Sequence, residues 1–378
     1  MAKTYTAIEL GAHSVKMAVC DGSRVSKIII EQMPEGLIVD NRITSHDALA
    51  DFLKDVIRAN GGAPKEAVMV LSGAQAITRR VKFPMMTVDE VKLNLPYEFR
   101  DFIAEGKERF VYDYAVLGRG GSFEPDQAAA PAADAATGGS FGARTSAVAE
   151  AEAPDVPPIA APTGVDDARG TGSLELLATA VRKETLEDFT SCCRRAGLRL
   201  VSAMPATAAL QNLMFANQFD GVRDESHCII NFGAATTELY FFTGGKFDVL
   251  RTIDQGGRDI NRALAEDLGN EEHLAEQVKM SDPSAVARSQ RALDVCESIA
   301  VECGRAINFY GFNNQNSQMK ALYFTGGESL TDALIQAVTD RTDVPVVDIS
   351  ELYPPVDSAY VAAARLCPAA VGATLTLD

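Results

Sequence analysis

Two short stretches carry residue types that could hold an anion. In residues 228–242, runs of β-branched and aromatic residues flank the bend Phe232-Gly233-Ala234-Ala235-Thr236-Thr237. This reads as two strands joined by a tight turn. No bulky side chain stands in the turn before Glu238, so bare backbone N–H groups can approach a phosphate. Thr236 and Thr237 add hydroxyl donors at the same place. Taken alone, an ordinary glycine-containing hairpin explains the stretch as well. Residues 7–19 repeat the pattern, however. Glu9 falls on Asn231, Leu10 on Phe232, Gly11 on Gly233, Ala12 on Ala234 and Ser14 on Thr236. A polar residue ends the first strand, a glycine turns, and a hydroxyl opens the second. Two copies more than 200 residues apart indicate a duplicated unit. Facing each other, two such hairpins could clamp a nucleotide between two lobes.

The elements that must position these turns follow from periodicity and punctuation. Strands are expected over 6–10, 15–20 and 25–31, with Asp21-Gly22-Ser23 as a turn. A helix over 47–60 puts Leu49, Phe52, Leu53, Val56 and Ile57 on one face and stops at Asn60-Gly61-Gly62. A buried strand follows at 67–72. Thr87-Val88-Asp89-Glu90 is a capping box opening a helix through Leu93, Leu95, Phe99, Phe102 and Ile103, which Pro96 kinks or splits. Strands at 111–117 and 174–181 bracket a run from about 118 to 173 dominated by Ala, Gly, Pro, Ser and Asp. Too little apolar surface stands there to offset chain entropy, so disorder is expected. Beyond it come a helix over 183–196, a strand over 198–203 and a helix over 208–216. After the second hairpin follow a strand at 247–253 and helices over 259–268, 273–280 and 292–309. A strand ending in Gly326-Gly327, a helix over 331–339, a strand over 344–348 and a last helix near 359–367 complete the chain.

Composition narrows the class. With 378 residues, 47% of them hydrophobic, the chain has material for two or more cored domains. Its formal net charge of −17 argues against nucleic acid and anionic membrane surfaces as partners. Seven scattered cysteines without paired Cys-x-x-Cys clusters read as reduced, mostly buried thiols in a cytosolic compartment. No signal peptide, no apolar run of spanning length and no basic amphipathic tail is expected.

The paired hairpins resemble the two phosphate loops of the actin-like ATPase superfamily. Ala321-Leu322-Tyr323-Phe324-Thr325-Gly326-Gly327-Glu328 is similar to its adenosine motif. The resemblance implies an α/β fold, the duplicated ribonuclease-H-like, two-lobe actin-like ATPase architecture. The middle segment is similar to FtsA and, more closely, to the PilM family of type IV pilus assembly proteins. The phrases are Leu95-Pro96-Tyr97-Glu98-Phe99, Val111-Tyr112-Asp113-Tyr114, Leu176-Leu177-Ala178-Thr179 and Arg195-Ala196-Gly197-Leu198. Gly256-Gly257-Arg258-Asp259-Ile260, Ala275-Glu276-Gln277-Val278-Lys279 and Ala370-Val371-Gly372-Ala373-Thr374-Leu375 match phrases of both families. On that basis the first lobe is expected over 1–85, 203–227 and 356–378. The inserted subdomain would take 86–202, with its disordered loop at 119–173. The second lobe would take 228–355, with a helical subdomain at about 256–320.

Carried over by position, Gly11, Ser14 and Lys16 match the first phosphate loop, and Gly233, Thr236 and Thr237 the second. Gly256, Gly257, Glu276 and Lys279 match residues near ribose and base, and Gly326 and Gly327 the adenosine turn. A plain i, i+3 surface ion pair is the other reading of Glu276 and Lys279. ATP and Mg²⁺ are the implied cofactors. Both loops of such families open with Asp, but here Glu9 and Asn231 stand there, and Glu328 replaces a third glycine. Glu9 would reach Mg²⁺ indirectly, through water, and Asn231 cannot act as a base. The resemblance therefore implies a cytoplasmic scaffold of pilus assembly that binds ATP and hydrolyses it slowly or not at all. It would be recruited to the membrane by the cytoplasmic N-terminal peptide of a PilN-like inner-membrane protein. An active ATPase or phosphotransferase, and an FtsA-like filament protein, are the alternatives. A peptide groove is expected around Leu93, Glu98, Phe99, Asp101 and Phe102, although the apolar members equally suit a subdomain core.

Overall fold

The computed structural model describes residues 4–20, 24–39, 42–121, 172–216, 225–282, 284–315 and 317–375. The first lobe opens with the antiparallel meander β1 (Tyr5–Leu10), β2 (Ser14–Cys20) and β3 (Val25–Gln32). The two-residue strands β4 (Ile38–Val39) and β5 (Arg42–Ile43) lead to α1 (His46–Ala59), where the Ser45 hydroxyl accepts the Ala48 N–H as an N-cap. β6 (Glu66–Leu71) returns parallel to β1.

A three-stranded antiparallel sheet is inserted next. β7 (Ala76–Pro84) leads to α2 (Val88–Asn94), whose capping box is formed by Thr87 and Glu90. A 3₁₀ turn carrying Pro96 splits the helix there, and β8 (Phe110–Gly121) and β9 (Gly172–Arg182) complete the sheet in the order β7-β9-β8. α3 (Lys183–Arg195), β10 (Arg199–Pro205) and α4 (Ala206–Ala216) bring the chain back, β10 pairing parallel to β6.

The second lobe repeats the plan. The meander β11 (Glu225–Phe232), β12 (Thr237–Thr243) and β13 (Lys246–Ile253) is followed by α5 (Gly257–Leu268), α6 (Glu272–Ser281) and α7 (Gln290–Asn313). β14 (Gln318–Thr325) then pairs parallel to β11, and after α8 (Asp332–Thr339) the short β15 (Val346–Val347) pairs parallel to β14. The two sheets, β3-β2-β1-β6-β10 and β13-β12-β11-β14-β15, share one strand order and one pattern of directions. The duplication expected from the two hairpins thus extends to whole lobes.

α9 (Val361–Ala364) and α10 (Pro368–Thr374) end the described chain. α10 lies against α4 between the lobes, and its Gly372 is so close that an added Cβ would overlap the Ala209 carbonyl oxygen. Asn212 Nδ2 fastens this crossing, donating to the carbonyls of Gly372 (3.1 Å) and Leu375 (2.8 Å). One apolar cluster joins Ala7 and Ala18 of the first sheet, Leu213 and Val371 of the two helices, and Ile229 and Tyr240 of the second sheet.

The structure moves several expected boundaries. Residues 76–84, within the span expected for the first lobe, form β7, which pairs along its length with β9 in the inserted sheet. α3, placed in the insert, packs Phe189, Cys192 and Cys193 into the first-lobe core beside α1. The strands β8 and β9 run on through the edges of the expected disordered loop, to a pairing of Gly121 with Gly172. The remainder of that loop, 122–171, lies outside the described residues, as does the Asp21-Gly22-Ser23 turn. The expected strand 344–348 keeps two residues, and the final helical region is α10 rather than one helix over 359–367.

Candidate nucleotide cleft

Each hairpin turn is closed by the same bond. The Gly11 N–H donates to Ser14 O at 2.9 Å, and the Gly233 N–H to Thr236 O at 3.0 Å. Proximity favours glycine in both turns: an added Cβ would stand a tight 3.0 Å from Ser14 O in the first and 2.8 Å from Thr236 O in the second, closer than Cβ atoms come. The cross-strand registers also match, Glu9 with Lys16 and Asn231 with Glu238.

The side chains at these matched positions differ. In the first hairpin Lys16 Nζ lies 3.3 Å from Glu9 Oε1, with the two side chains 12% and 20% exposed. Glu9 Oε2 is buried without a hydrogen-bond partner among the described residues. In the second, Asn231 Nδ2 donates to Glu238 Oε2 at 3.3 Å and the Tyr240 hydroxyl to the same oxygen at 2.7 Å. Burial pushes the Glu238 carboxyl above its ordinary value. The two hydrogen bonds and Lys16 oppose that rise, and the Glu9 charge adds to it. A carboxylate therefore stands beside the second turn, one strand over from Asn231. Sequence reasoning found none there. The signal was present, since Glu238 occupies the position of Lys16 in the repeat.

The remaining residues sort by what they touch. Thr237, expected as a phosphate donor, is fully buried and donates to Gln255 O at 3.0 Å, tying the turn to the start of α5. Thr236 is partly exposed at the turn. Gly233 and Ala234 carbonyls accept the N–H groups of Gly257 (3.0 Å) and Arg258 (2.8 Å), so α5 begins on the second hairpin. Gly256 is packed against it, an added Cβ falling 2.6 Å from Gly233 O. Gly326 has φ +90° and faces the Phe232 carbonyl with no room for a Cβ, while Gly327 faces open space. The structure thus brings Gly11, Ser14, Lys16, Gly233, Thr236, Gly256, Gly257, Gly326 and Gly327 around the two turns and their supports.

Glu276 and Lys279 do not pair with each other. Glu276 Oε1 reaches His13 Nε2 of the first hairpin at 3.4 Å, bridging the lobes across the cleft. Lys279 instead binds Glu328 at 2.7 and 2.8 Å. The surface-pair reading is corrected on that geometry.

Of the expected groove residues, Phe99 is fully buried in the insert's own core with Val91, Leu95 and Phe110, and is unavailable to a partner. Leu93 is 70% exposed. Phe102 is exposed under the Arg79 guanidinium, 4.0 Å from the ring centroid, and Arg79 also donates to the Glu98 carbonyl at 2.6 Å. Asp101 is exposed beside Arg100. Next to this surface, Met85, Met86, Val88, Val91, Tyr114 and Leu174 line a depression of about 260 Å³. The insert is braced on the second lobe by Glu175, which binds Arg80 and Lys246 (3.3 Å), with Arg80 also 3.6 Å from Asp248. Burial opposes the Glu175 charge, but Arg80 and Lys246 hold its carboxyl below the usual range.

The free thiols at Cys192, Cys193, Cys228, Cys296, Cys303 and Cys367 are all buried. No group of three or more His, Cys, Asp or Glu that could hold a metal occurs among the described residues, and none of their helices is long and apolar enough to cross a membrane.

The sequence profile of a family described as type IV pilus assembly protein PilM matches residues 7–152 and 166–359. The chain belongs to that family. Among solved structures, the PilM-PilN type IV pilus biogenesis complex aligns with a TM-score of 0.73 at 20% identity, covering 99% of this chain and 98% of that one. Ethanolamine utilization protein EutJ from Carboxydothermus hydrogenoformans aligns with a TM-score of 0.53 at 12% identity, covering 99% and 89%. MreB 5 of Spiroplasma citri bound to AMPPNP aligns at 0.48 and 12% identity, covering 98% and 95%. No curated protein sequence matches the chain. The fold is that of the actin-like ATPases, and the family match spans the inserted three-stranded sheet.

Proposed function

We propose that this chain is a cytoplasmic scaffold of a type IV pilus assembly machine, which binds ATP between its lobes and turns it over very slowly. The observation that carries the nucleotide half is the pair of glycine turns in one register, with Lys16 beside them. Bare turns and one ammonium suit a polyphosphate. The donor set fits Mg²⁺ as well: Glu9 Oε2 is buried and unsatisfied among the described residues, as a carboxylate held for a hydrated cation would be. Bound there, Mg²⁺ would neutralise phosphate charge, which Lys16 meets from the same hairpin. Glu9 would hold it, Gly11 and Gly233 would let the phosphates approach, and His13 with Glu276 would shut the cleft behind them.

Slow turnover follows from Asn231, which has no carboxylate to orient an attacking water. Glu238 favours the hydrolytic reading, being a carboxyl beside the second turn, but Asn231 and Tyr240 already occupy one of its oxygens. Steady-state phosphate release with ATP in excess separates the two. Near-background release is expected, and several turnovers per second would establish an ATPase.

The partner half draws on family membership and on the apolar depression beside α2. An extended peptide with aliphatic anchors and a basic flank suits that depression and the acidic residues Glu98 and Asp101 of the same subdomain. It would be the cytoplasmic N-terminal segment of a PilN-like inner-membrane protein, which would bring the scaffold to the membrane. Fluorescence anisotropy of such a labelled peptide tests this. Glu98→Lys with Asp101→Lys should weaken binding about tenfold and leave ATP affinity alone, and unchanged peptide binding would place the groove elsewhere.

A further inference from the structure

The space beside the Gly326-Gly327 turn is filled by the protein itself. Lys279 of α6 donates to both oxygens of Glu328, at 2.7 and 2.8 Å, and the Thr331 hydroxyl donates to Oε2 at 2.9 Å. The two charged side chains are only 10% and 13% exposed. The carboxylate rests on the bare face of Gly257, where an added Cβ would overlap it. Below the pair lies buried Cys296 of α7, whose thiol is pushed up to about 12 by burial and then by the Glu328 charge. The bare backbone on which a flat base could lie is therefore covered by a carboxylate that is itself neutralised and satisfied.

We propose that the Lys279–Glu328 pair blocks base recognition, so that the cleft takes nucleoside triphosphates by their phosphate chain with little discrimination among bases. This rests on the phosphate-cleft reading above and adds Glu328 to it as the residue that sets specificity. A base could enter only by parting a largely buried, doubly hydrogen-bonded ion pair. Leaving either charge unpaired costs more than stacking of a base returns. The phosphate turns are unaffected, because the pair contacts α5, α6 and the segment after β14 but neither hairpin glycine.

The test uses the full chain with Mg²⁺ and compares ATP, GTP, UTP and inorganic tripolyphosphate by calorimetry. In the unaltered protein the three nucleotides should bind within about threefold of one another and of tripolyphosphate. Glu328→Gly opens the space but strands Lys279, so the charge-balanced double variant Glu328→Gly with Lys279→Met is measured beside it, with thermal melting to establish folding. ATP should tighten by about tenfold in a folded variant while tripolyphosphate stays unmoved. A tenfold or larger preference for ATP over UTP in the unaltered protein overturns the proposal and leaves the phosphate cleft standing. So does an ATP affinity unchanged by both variants. Failure of every polyphosphate to bind any variant overturns the cleft reading, and the block with it.

Discussion

In the first lobe Glu9 faces Lys16 across the hairpin, and at the matching positions of the second lobe Asn231 faces Glu238. The backbones are the same to the hydrogen bond: glycine N–H to the carbonyl three residues on, at 2.9 and 3.0 Å. The charges are not. One turn carries a carboxylate with its ammonium, the other an amide holding a carboxyl that burial drives toward its neutral form. The difference shows which features a duplicated glycine turn cannot change. Small residues must stay where the chain doubles back within 3 Å of its own carbonyl. The cross-strand pair beside it is free to diverge, and it sets what the turn can hold and whether it can do chemistry.

Lys16 gives the largest expected effect, as the cation of the four paired residues. Lys16→Ala should weaken tripolyphosphate at least about a hundredfold, since the remaining groups are acidic or neutral. It also strands Glu9, so stability should fall by about 3 kcal/mol. Glu9→Gln combined with Lys16→Met should recover the stability, read by urea melts, and leave binding lost. Retained binding in Lys16→Ala would mean that the first hairpin is no more cationic in function than the second.

The twin glycines come next. Gly233→Ala should cost about 2 kcal/mol and Gly11→Ala about 1 kcal/mol, within the usual range for forcing extra volume into a packed site. Gly233 is the tighter of the two and its carbonyl also carries the start of α5, so its displacement spreads further. Equal costs, measured by denaturant midpoints at constant m, would show that the supports around the second turn do not matter.

Glu238→Gln should stabilise the protein. A carboxyl whose folded pKa is raised binds its proton more tightly folded than unfolded. Its ionisation therefore erodes stability as pH rises from the ordinary Glu value through the raised one. An amide avoids that loss, so the gain should be present at pH 7 and vanish at pH 4. One kcal/mol corresponds to about 2–4 °C in a domain of 150–250 residues, the scale a melting scan must resolve. A destabilised variant at pH 7 would mean that the Glu238 charge is compensated in the folded cleft.

The hairpins were legible because a turn this close to its own carbonyl is written in small residues, and because it is written twice. Glu238 is harder to find, since its partnership with Asn231 runs across strands seven positions apart and only its match to Lys16 in the repeat marks it. α10 escaped for the opposite reason. Residues 368–374 are all buried, so no polar face alternates with an apolar one, and only Pro368 at its first turn signals a start. β7 was hidden by Arg79 and Arg80, charges that read as surface until the ring of Phe102 and the carboxylates of Glu175 and Asp248 are seen beside them. Phe99 and Phe102 illustrate the limit of apolar spacing: one is core and the other exposed, and the 3₁₀ turn Leu95–Phe99 ends between them.

The hairpin of the insert is the control on the comparison. β8 and β9 stay paired to Gly121 and Gly172, past one register shift between Val116 and Gly118, yet their connection runs through 122–171. If closeness of the strand ends is what a stable hairpin needs, the connection is replaceable by a two-residue turn. Its composition, with only two phenylalanines and four branched apolar residues among fifty, supplies little surface to bury. Closing a shorter loop also costs less entropy, though only logarithmically. Replacing 122–171 with Asn-Gly, the residues a two-residue antiparallel turn prefers, should therefore leave the melting temperature within about 5 °C, roughly 1 kcal/mol for a small domain. The proposed ATP binding should be unchanged, since both glycine turns lie in other sheets. A larger fall would show that the long connection contributes contacts to the insert, and that the three hairpins differ in more than the chemistry of their turns.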